Sequence, residues 1–557
     1  MKPSMTIFDA HGDELRGSIR PLRRHYVRMK THFLTISSLL SLPLLSLVSC
    51  SKNLNREPPN TITAAQAFGT PSGAKQALAK VYGAFALTGS TGSGSSDLGG
   101  IDAGTSDFVR LLWDASELST DEAVCAWNDP GVPDFHNMDW NSSNTILLGL
   151  YARCIYQITV ANSFIAQAAN VKFTGQDATD LAHYVAEARF LRAFQYWELM
   201  DLFGNPPFVT DKDPIGQAGY TPKQISRANL FTYVESELKS LDSAGALVAP
   251  HKNEYARADQ ACVWALLARM YLNAEVYLGA GNGRYTDAIT YATKVINAGY
   301  QLHPVYHDLF LADNDKNNPE QIFSIAYDGI NTQNYGGTTF IINAEIGGSM
   351  VPSQYGVPGG GWGGNRATAN LPNLFPDLTG TADKRSLFYT NGQTESIASI
   401  GTFQNGYPAI KFQNVTSSNA VPAGASVYAS TDFPLFRLAE QYLIYAEAVL
   451  RGGNGGSMTQ AVAYFNALRN RAYGNTNGDV ASITLQDIVN ERARELYWEC
   501  FRRTDLIRFG LFTSQNYLWP WKGGVSSGTG VDAHFNLFPI PSTDLNANPN
   551  LVQNTGY

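Results

Sequence analysis

Charged residues are scarce in this sequence of 557 residues, where they make up 16% of the chain. An average soluble protein contains roughly 25%. The charges are more often acidic than basic, with 48 Asp and Glu against 40 Lys and Arg. An acidic chain lacks the basic surface that binds a phosphate backbone, which excludes nucleic acid as a ligand. The hydrophobic fraction of 44% and the aromatic fraction of 12% exclude an intrinsically disordered chain.

Cysteine is also rare, with five residues in the whole chain. So small a number in a long sequence excludes a disulfide-rich scaffold. The later four are Cys125, Cys154, Cys262 and Cys500, and their spacing matches no metal or redox motif. In an exported protein these thiols could form pairs, but buried free thiols are the simpler interpretation.

Motifs for catalysis and metal binding occur only out of context. Residues 524–528 fit the G-x-S-x-G pattern, but no strand pattern precedes them and no helix pattern follows. His303 and His307 enclose Pro304, and a third ligand is not apparent. The run from Asp313 resembles the start of a calcium loop without its glycine and terminal glutamate. We therefore predict no catalytic residue, no metal ligand and no cofactor, although distant carboxylates that cleave a glycosidic bond stay open.

Only one long apolar run is present, from Phe33 to Val48. Its 16 residues are short for a membrane-spanning helix, which needs about 20, and they suit a secretory signal. A small residue before Cys50 closes the run, and this ending resembles the bacterial lipoprotein signal, in which the cysteine is acylated after cleavage. An ordinary signal with an incidental cysteine is the alternative. Residues 1–49 are thus predicted to be an upstream extension and a signal peptide, with translation starting at Met29.

The mature chain divides into a tether and a body. Residues 50–62 are polar and contain prolines, which is typical of a linker that keeps a folded body away from a membrane. Acylation of Cys50 is predicted to anchor this linker in the membrane, because several acyl chains on one residue bind stably where one does not. Residues 63–557 are predicted to form a single body.

Helical periodicity dominates the body. Several helices form pairs across a short loop, with alanine and aromatic residues at the expected interface, as in tetratricopeptide repeats. The pairs are too few and too diverged for a regular solenoid, so we predict a mainly α fold with one scaffold of such pairs. The predicted helices cover residues 63–86, 145–169, 178–203, 226–242, 255–278, 285–298, 438–450 and 458–472.

Residues 303–430 interrupt this pattern as a loop-rich insertion. Glycine, asparagine, proline, serine and tyrosine dominate it, and short strand-like runs occur at 321–327 and 338–343. Long loops in a compact protein commonly carry function. We therefore expect the helices to supply the scaffold and the loops to supply recognition.

Residues 487–510 form a second unusual segment, because they are dense in charge. Glu491, Glu495 and Glu499 lie on one face of a predicted helix, and arginines follow at spacings of three and four. A reaction centre is one interpretation of this pattern. We favour an ion-pair network that locks the helix to its neighbours.

Four segments in chain order resemble the SusD/RagB family of Bacteroidetes nutrient-uptake lipoproteins. The first is the lipoprotein signal that ends at Cys50. The others are residues 187–209 (EARFLRAFQYWELMDLFGNPPFV), the helical segments within 432–510, and residues 537–557, which end in QNTGY where the family usually has QNPGY. The resemblance covers almost all of the mature chain, but not in detail the insertion or the loops at 88–140.

This resemblance implies a mostly helical fold built on tetratricopeptide-like pairs, and a non-catalytic role. It implies attachment to the outer membrane facing the exterior, with a SusC-like TonB-dependent transporter as partner and this protein as a lid over the barrel. The ligand in the family is usually a glycan and sometimes a peptide. We therefore expect a glycan-binding lipoprotein that delivers oligosaccharide or polysaccharide to the transporter. The alternatives are a surface glycoside hydrolase and a lid for peptides or other nutrients.

Aromatic residues in loops are the candidates for glycan contacts, because flat rings stack on the apolar faces of sugars. Trp127 and Asn128 lie together in CAWNDPG, and Trp362 and Arg366 lie in GGGWGGNR. Tyr335 lies in a similar loop of the insertion. These five residues form the predicted site. The alternative for each ring is that it fixes its own loop to the scaffold.

Overall fold

The computed structural model describes residues 67–557. The predicted signal peptide, the lipidation site Cys50, the tether and the first residues of the predicted helix 63–86 lie outside the described residues. Within 67–557, helices dominate and the strands are short, which confirms the predicted mainly α fold. In this range, no helix combines the length and the apolar character needed to cross a membrane.

Helix boundaries follow local capping signals. Asn144 accepts a hydrogen bond from the backbone N–H of Leu147, and Thr484 and Asp487 form a reciprocal capping box. The helices are α1 (Pro71–Ala86), α2 (Phe108–Glu117), α3 (Pro133–Asn137), α4 (Thr145–Ala168), α5 (Gly175–Leu202), α6 (Arg227–Leu241), α7 (Gln260–Leu272), α8 (Ala274–Leu278), α9 (Tyr285–Ile296), α10 (Gly337–Glu345), α11 (Leu438–Leu450), α12 (Met458–Tyr473), α13 (Leu485–Leu496), α14 (Arg502–Arg508) and α15 (Ser542–Ala547).

The helices lie side by side in pairs, as the sequence predicts. α4 packs along α5, α7 along α9 and α11 along α12. Because α9 also packs against α11, the second and third pairs share one core. Aromatic side chains meet at these interfaces, and in the α11–α12 pair the rings of Tyr442 and Tyr464 stack with centroids 4.4 Å apart.

The predicted strand at residues 338–343 is wrong, because this segment is part of helix α10. Every residue of α10 is buried. A short apolar run that is buried on all sides shows no alternation of apolar and polar residues. Its β-branched residues favoured a strand, but burial against neighbouring elements sets the outcome.

Two long predicted helices are interrupted in the structure. The predicted helix 255–278 starts only at Gln260 and continues as the two helices α7 and α8. The charged segment 487–510 forms α13 and α14, with a break in which Trp498 and Cys500 have φ angles of 65° and 67°. These left-handed residues end the helical hydrogen bonding between the two helices.

Short antiparallel strand pairs connect the insertion to the scaffold. β1 (Ala123–Cys125) pairs with β5 (Asn365–Ala367), and β4 (Gln321–Ile325) pairs with β6 (Phe433–Arg437). β4 confirms the strand predicted at 321–327. A further pair, β2 (Pro207–Phe208) with β3 (Lys223–Gln224), lies within the scaffold.

A buried ion-pair network joins the insertion to the C-terminal helices. Arg385 Nη1 lies 2.6 Å from Glu491 Oε1, and Lys411 Nζ lies 2.6 Å from Glu499 Oε1. An ion-pair network is present as predicted, and Glu491 pairs with Arg494. Glu499, however, pairs with Lys411 and Arg437 rather than with the arginines three and four residues after it, and most partners come from segments other than residues 487–510. The members of this buried network are Glu320, Asp383, Arg385, Lys411, Arg437, Arg469, Arg471, Glu491, Arg494, Glu495 and Glu499.

Glu491 shows the effect of this network on a carboxylate. Burial alone would raise its pKa, but the guanidinium groups of Arg385, Arg494 and Arg469 outweigh burial and lower the pKa to about 2. The side chain is fully buried, so no substrate reaches it. The arrangement supports a structural role for these charges.

Four cysteines lie in the described part of the chain, and all are free thiols. Cys125, Cys154 and Cys262 are buried, and Cys500 is half-buried. Burial raises the pKa of each thiol. A thiol with a raised pKa is a poor nucleophile, so these residues fit the predicted inert role.

Candidate functional site

Three of the predicted site residues come together at one surface. The ring centroids of Trp127 and Trp362 are 6.4 Å apart, and those of Tyr335 and Trp362 are 6.3 Å apart. A fourth ring, Tyr428, lies 5.4 Å from Tyr335. We call Trp127, Tyr335, Trp362 and Tyr428 the aromatic cluster. Both tryptophans and Tyr428 are half-buried, and Tyr335 is 39% exposed.

The β1–β5 ladder brings the two tryptophans together. Beyond the last strand pair, the N–H of Ala126 donates to the carbonyl of Gly364 at 2.8 Å. The indole Nε1 of Trp127 then donates to the carbonyl of Trp362 at 3.2 Å. Because backbone bonds fix both segments, the two rings keep their spacing without contacts from a ligand.

The glycines around Trp362 allow close packing. A Cβ at Gly364 would lie 2.5 Å from the Trp127 ring, so only glycine lets the two segments approach this closely. Gly361 has a φ of 96°, a conformation that other residues rarely adopt. The backbone N–H of Trp362 also donates to the carbonyl of Asn343 at the end of α10, at 2.8 Å. The glycines therefore permit the close approach, and the backbone hydrogen bonds hold the segment that carries the indole.

Arg110 of helix α2 binds the backbone of Tyr335. Its Nη1 donates to the carbonyls of Gly104 and Tyr335, at 2.8 and 3.2 Å. The guanidinium lies 4.6 Å from the ring centroid of Phe340 and 5.9 Å from that of Trp127. Arg110 thus contacts both Tyr335 and Trp127. The sequence does not predict this role, because Arg110 lies more than 200 positions from Tyr335.

Tyr428 is the other residue of the cluster that the sequence does not predict. Its hydroxyl lies 2.8 Å from the Oγ of Ser93, to which it donates a hydrogen bond. The hydroxyl of Tyr428 also raises the pKa of Tyr335 through a side-chain hydrogen bond. The only sequence signal for Tyr428 is its place in the loop-rich insertion, which it shares with many other tyrosines.

Arg366 does not contact the surface, which corrects its predicted role as a ligand contact. Its side chain is fully buried within β5. It donates to the backbone carbonyls of Gly364, Ile400, Thr402 and Asn405. Burial lowers its pKa to about 10, so it remains charged at neutral pH. Arg366 therefore fixes the loop 400–405 to β5, the strand that pairs with β1 just before Trp127.

Asn128, the remaining predicted site residue, follows Trp127 in the chain and is exposed. An exposed amide next to a half-buried ring can hydrogen bond to hydroxyl groups while the ring covers an apolar face. Within residues 67–557, no group of three or more His, Cys, Asp or Glu side chains is arranged to hold a metal ion.

Sequence comparisons identify related proteins. A family profile described as "SusD family" matches residues 384–557, and one described as "Starch-binding associating with outer membrane" matches residues 113–272. Starch-binding protein SusD of Bacteroides thetaiotaomicron is 34% identical over an alignment of 582 positions including gaps, which spans 95% of this chain and 100% of that protein. SusD-like protein P2 of Formosa agariphila is 26% identical and matches over 76% of this chain and 83% of that protein.

Solved structures show the same fold. Surface glycan-binding protein A from Bacteroides thetaiotaomicron superposes with a TM-score of 0.68 at 20% identity, over 88% of this chain and 100% of that chain. The same protein in complex with laminarihexaose gives a TM-score of 0.66 at 20% identity, over 87% and 99%. A laminarin-binding SusD-like protein gives 0.65 at 22% identity, also over 87% and 99%. These structures share the helical architecture with this chain.

Proposed function

Because the chain belongs to the SusD family, we propose that it binds glycan at the aromatic cluster as a non-catalytic lipoprotein of the outer membrane. In this proposal the protein captures oligosaccharide or polysaccharide and delivers it to a SusC-like TonB-dependent transporter. The observation that carries the proposal is the convergence of Trp127, Tyr335 and Trp362 on one surface. Backbone hydrogen bonds fix the segments that carry Trp127 and Trp362, and Arg110 binds the carbonyl of Tyr335.

The chemistry of the cluster favours a neutral sugar polymer. Ring faces bind the C–H faces of sugars, and a few polar groups bind the hydroxyls. Asn128 and the hydroxyls of Tyr335 and Tyr428 supply such groups at the rim. Arg110 is the cation in contact with the rings, and two of its hydrogen bonds go to protein carbonyls. An anionic polysaccharide would need cations that are free to pair with its carboxylates.

Two glycans are the first ligands to test. The relative at 34% identity is named for starch, and structural neighbours at 20–22% identity are named for laminarin or were solved with laminarihexaose. We expect soluble starch to bind more tightly than laminarin, because the sequence relationship to the starch-binding protein is stronger. Native gel electrophoresis in polysaccharide-containing gels, followed by calorimetric titration, measures both affinities.

The same experiment separates binding from catalysis. Protein incubated with starch or laminarin should bind the polysaccharide and release no reducing sugar over many hours. Release of sugar at a rate proportional to protein concentration would support the alternative, a surface glycoside hydrolase. Binding of peptides but of neither polysaccharide would support a lid for other nutrients.

Membrane attachment and the transporter are tested separately from glycan binding. Acylation of Cys50 predicts that the mature protein enters a detergent phase, whereas a Cys50→Ala variant stays in the aqueous phase. Affinity purification of the lipidated protein from its own membranes should recover a TonB-dependent transporter. Recovery of the protein alone from gently solubilised membranes would argue against a stable complex.

A further inference from the structure

The loop of residues 88–106 connects the helical scaffold to the aromatic cluster. Its tip reaches the cluster through Ser93, whose Oγ accepts the hydrogen bond from Tyr428. Its last part carries Gly104, whose carbonyl binds Arg110, and Arg110 also holds Tyr335. The position of this loop therefore acts on two rings of the cluster.

The loop has little side-chain packing of its own. At Gly92, Gly94, Gly99 and Gly100, no heavy atom lies within 4 Å of the place that a Cβ would occupy. Glycine also loses more backbone entropy on ordering than any other residue. The conformation of the loop must therefore be maintained by contacts at its other positions.

Some of these contacts are hydrogen bonds within the loop, such as that from the N–H of Asp97 to the carbonyl of Thr88 at 2.7 Å, and the others come from one face of helix α4. Gly149, Arg153 and Tyr156 follow one another at spacings of four and three residues, which places them in one row along the helix. The Tyr156 hydroxyl donates to Asp97 Oδ2 at 2.8 Å. Gly149 leaves room for Ile101, because a Cβ at residue 149 would lie 2.2 Å from Ile101 Cδ1. The row therefore meets the loop at several points along its length.

Arg153 joins the two ends of the loop. Its Nε donates to the carbonyl of Ser106 at 2.8 Å, and its Nη2 donates to the carbonyl of Thr88 at 3.4 Å. Nη2 also lies 3.3 Å from Ser106 Oγ. The side chain is fully buried, and burial lowers its pKa. Burial of a guanidinium costs solvation free energy, which hydrogen bonds to the loop oxygens offset. Arg153 is therefore suited to fixing the base of the loop.

We propose that Arg153 is a positioning residue for glycan binding, because it holds the 88–106 loop in the conformation that the aromatic cluster requires. This inference rests on the proposed function, since it assigns the residue a role toward the ligand of that site. Arg153 acts through Thr88 and Ser106 rather than by contact with the ligand. Affinity then depends on the fraction of molecules in which the loop is in place.

Two substitutions at this position test the inference. Arg153→Lys keeps the charge but lacks the fork that spans Thr88 and Ser106, and Arg153→Met removes the charge. If the loop is in place in about one molecule in ten of either variant, binding of soluble starch or laminarin weakens about tenfold. Hydrogen–deuterium exchange of residues 88–106 without ligand should increase in the same variants.

Arg227→Met is the matched control. Arg227 also donates to three backbone carbonyls, those of Met200, Asp201 and Val276, but these lie in the scaffold. Its replacement should lower the melting temperature as Arg153→Met does, while the affinity for polysaccharide changes by less than about twofold. A similar loss of affinity in both variants would mean that general destabilisation is the cause, and would overturn the inference.

A milder variant covers the case in which Arg153→Met does not fold. Tyr156→Phe removes only the contact with Asp97, so it should increase exchange in the middle of the loop and weaken binding about threefold.

Wild-type affinity in the folded variants, or weaker binding without faster exchange of the loop, overturns the inference. If the wild-type protein binds neither polysaccharide, the proposed function fails, and exchange in the unliganded variants still reports whether Arg153 holds the loop.

Discussion

Two regions fasten the insertion to the rest of the molecule, and they differ in chemistry. The buried network does so with charges: Arg385 and Lys411 of the insertion contact Glu491 and Glu499, and all four side chains are fully buried. The aromatic cluster does so with rings that remain partly exposed, and Arg110 is the charge in contact with them.

The difference explains why a chain with few charges still has dense charge in one segment. Removing one partner of a buried ion pair leaves the other charge unpaired in a medium of low dielectric, so the network tolerates little change. Removal of a half-exposed ring lowers the stability of the fold by less, because the ring is only partly excluded from water. We therefore assign stability to the network and binding to the cluster, and the following predictions test this division.

The largest effect is expected in the buried network. Glu495 contacts Arg385, Arg437 and Arg471, so Glu495→Gln leaves three arginines short of one negative charge. The free energy of unfolding should fall by about 3–5 kcal/mol, measured by denaturant unfolding. Lys75→Gln, which breaks an exposed ion pair with Glu254, is the control and should cost less than about 1 kcal/mol. Equal losses in the two variants would contradict the special role of the network.

The second effect is a loss of stability in acid. The folded pKa of Glu491 is lowered to about 2, below its value of about 4.3 in the unfolded chain. A lowered folded pKa contributes stability above the unfolded pKa, and this contribution, about 3 kcal/mol, is lost as the pH falls from about 4.3 to about 2. The free energy of unfolding, measured with denaturant at several pH values in this range, should depend less steeply on pH in Glu491→Gln than in the wild type. The same pH dependence in both proteins would mean that other carboxylates control acid unfolding.

The third effect moves from stability to binding. Trp362→Ala removes the central ring of the cluster and should cost about 2 kcal/mol of binding free energy, which is roughly a thirtyfold loss of affinity. The melting temperature should change little, because the ring is half-buried. Trp264→Ala, which removes another half-buried indole from helix α7, serves as the control and should leave affinity unchanged. Retained affinity in Trp362→Ala would remove this residue from the site.

The smallest effect concerns one hydroxyl group. Tyr428→Phe keeps the ring beside Tyr335 but removes the hydrogen bond to Ser93, and should weaken glycan binding by about 1 kcal/mol. Ser93→Ala should have a similar effect. If the two effects arise from the same bond, the double variant should bind about as well as either single variant, and full additivity would show that they act independently.

The scaffold was the part of the fold most accessible from the sequence. The helix predicted at 145–169 is observed as Thr145–Ala168, because its apolar period and its cap at Asn144 give the same answer. The segment 338–343 was mispredicted as a strand, since it is buried on every side and its period carries no information. A run of six residues that is buried on every side is thus too short for its pattern to distinguish a helix from a strand.

The candidate site was predicted only in part, for a different reason. Trp127, Tyr335 and Trp362 were accessible from sequence because rings in polar, glycine-rich loops are unusual. Arg110 and Tyr428 join them through contacts between segments that are far apart in the chain, which no local pattern reveals. Arg366 follows Trp362 by four residues, which favours a shared surface, but Gly363 between them has a φ of 60° and interrupts the extended backbone, so the alternation of a strand does not carry from Arg366 to Trp362.

The β1–β5 ladder also has a consequence for the order of events in folding. It joins Trp127 to Trp362 across 235 residues of chain. Contacts between such distant segments form late, because the entropy of closing the intervening chain is lost before the contact is made. The aromatic cluster is therefore absent from a nascent or partly folded chain and forms only when the insertion has docked. Under the proposed function, polysaccharide binding reports completed folding as well as recognition.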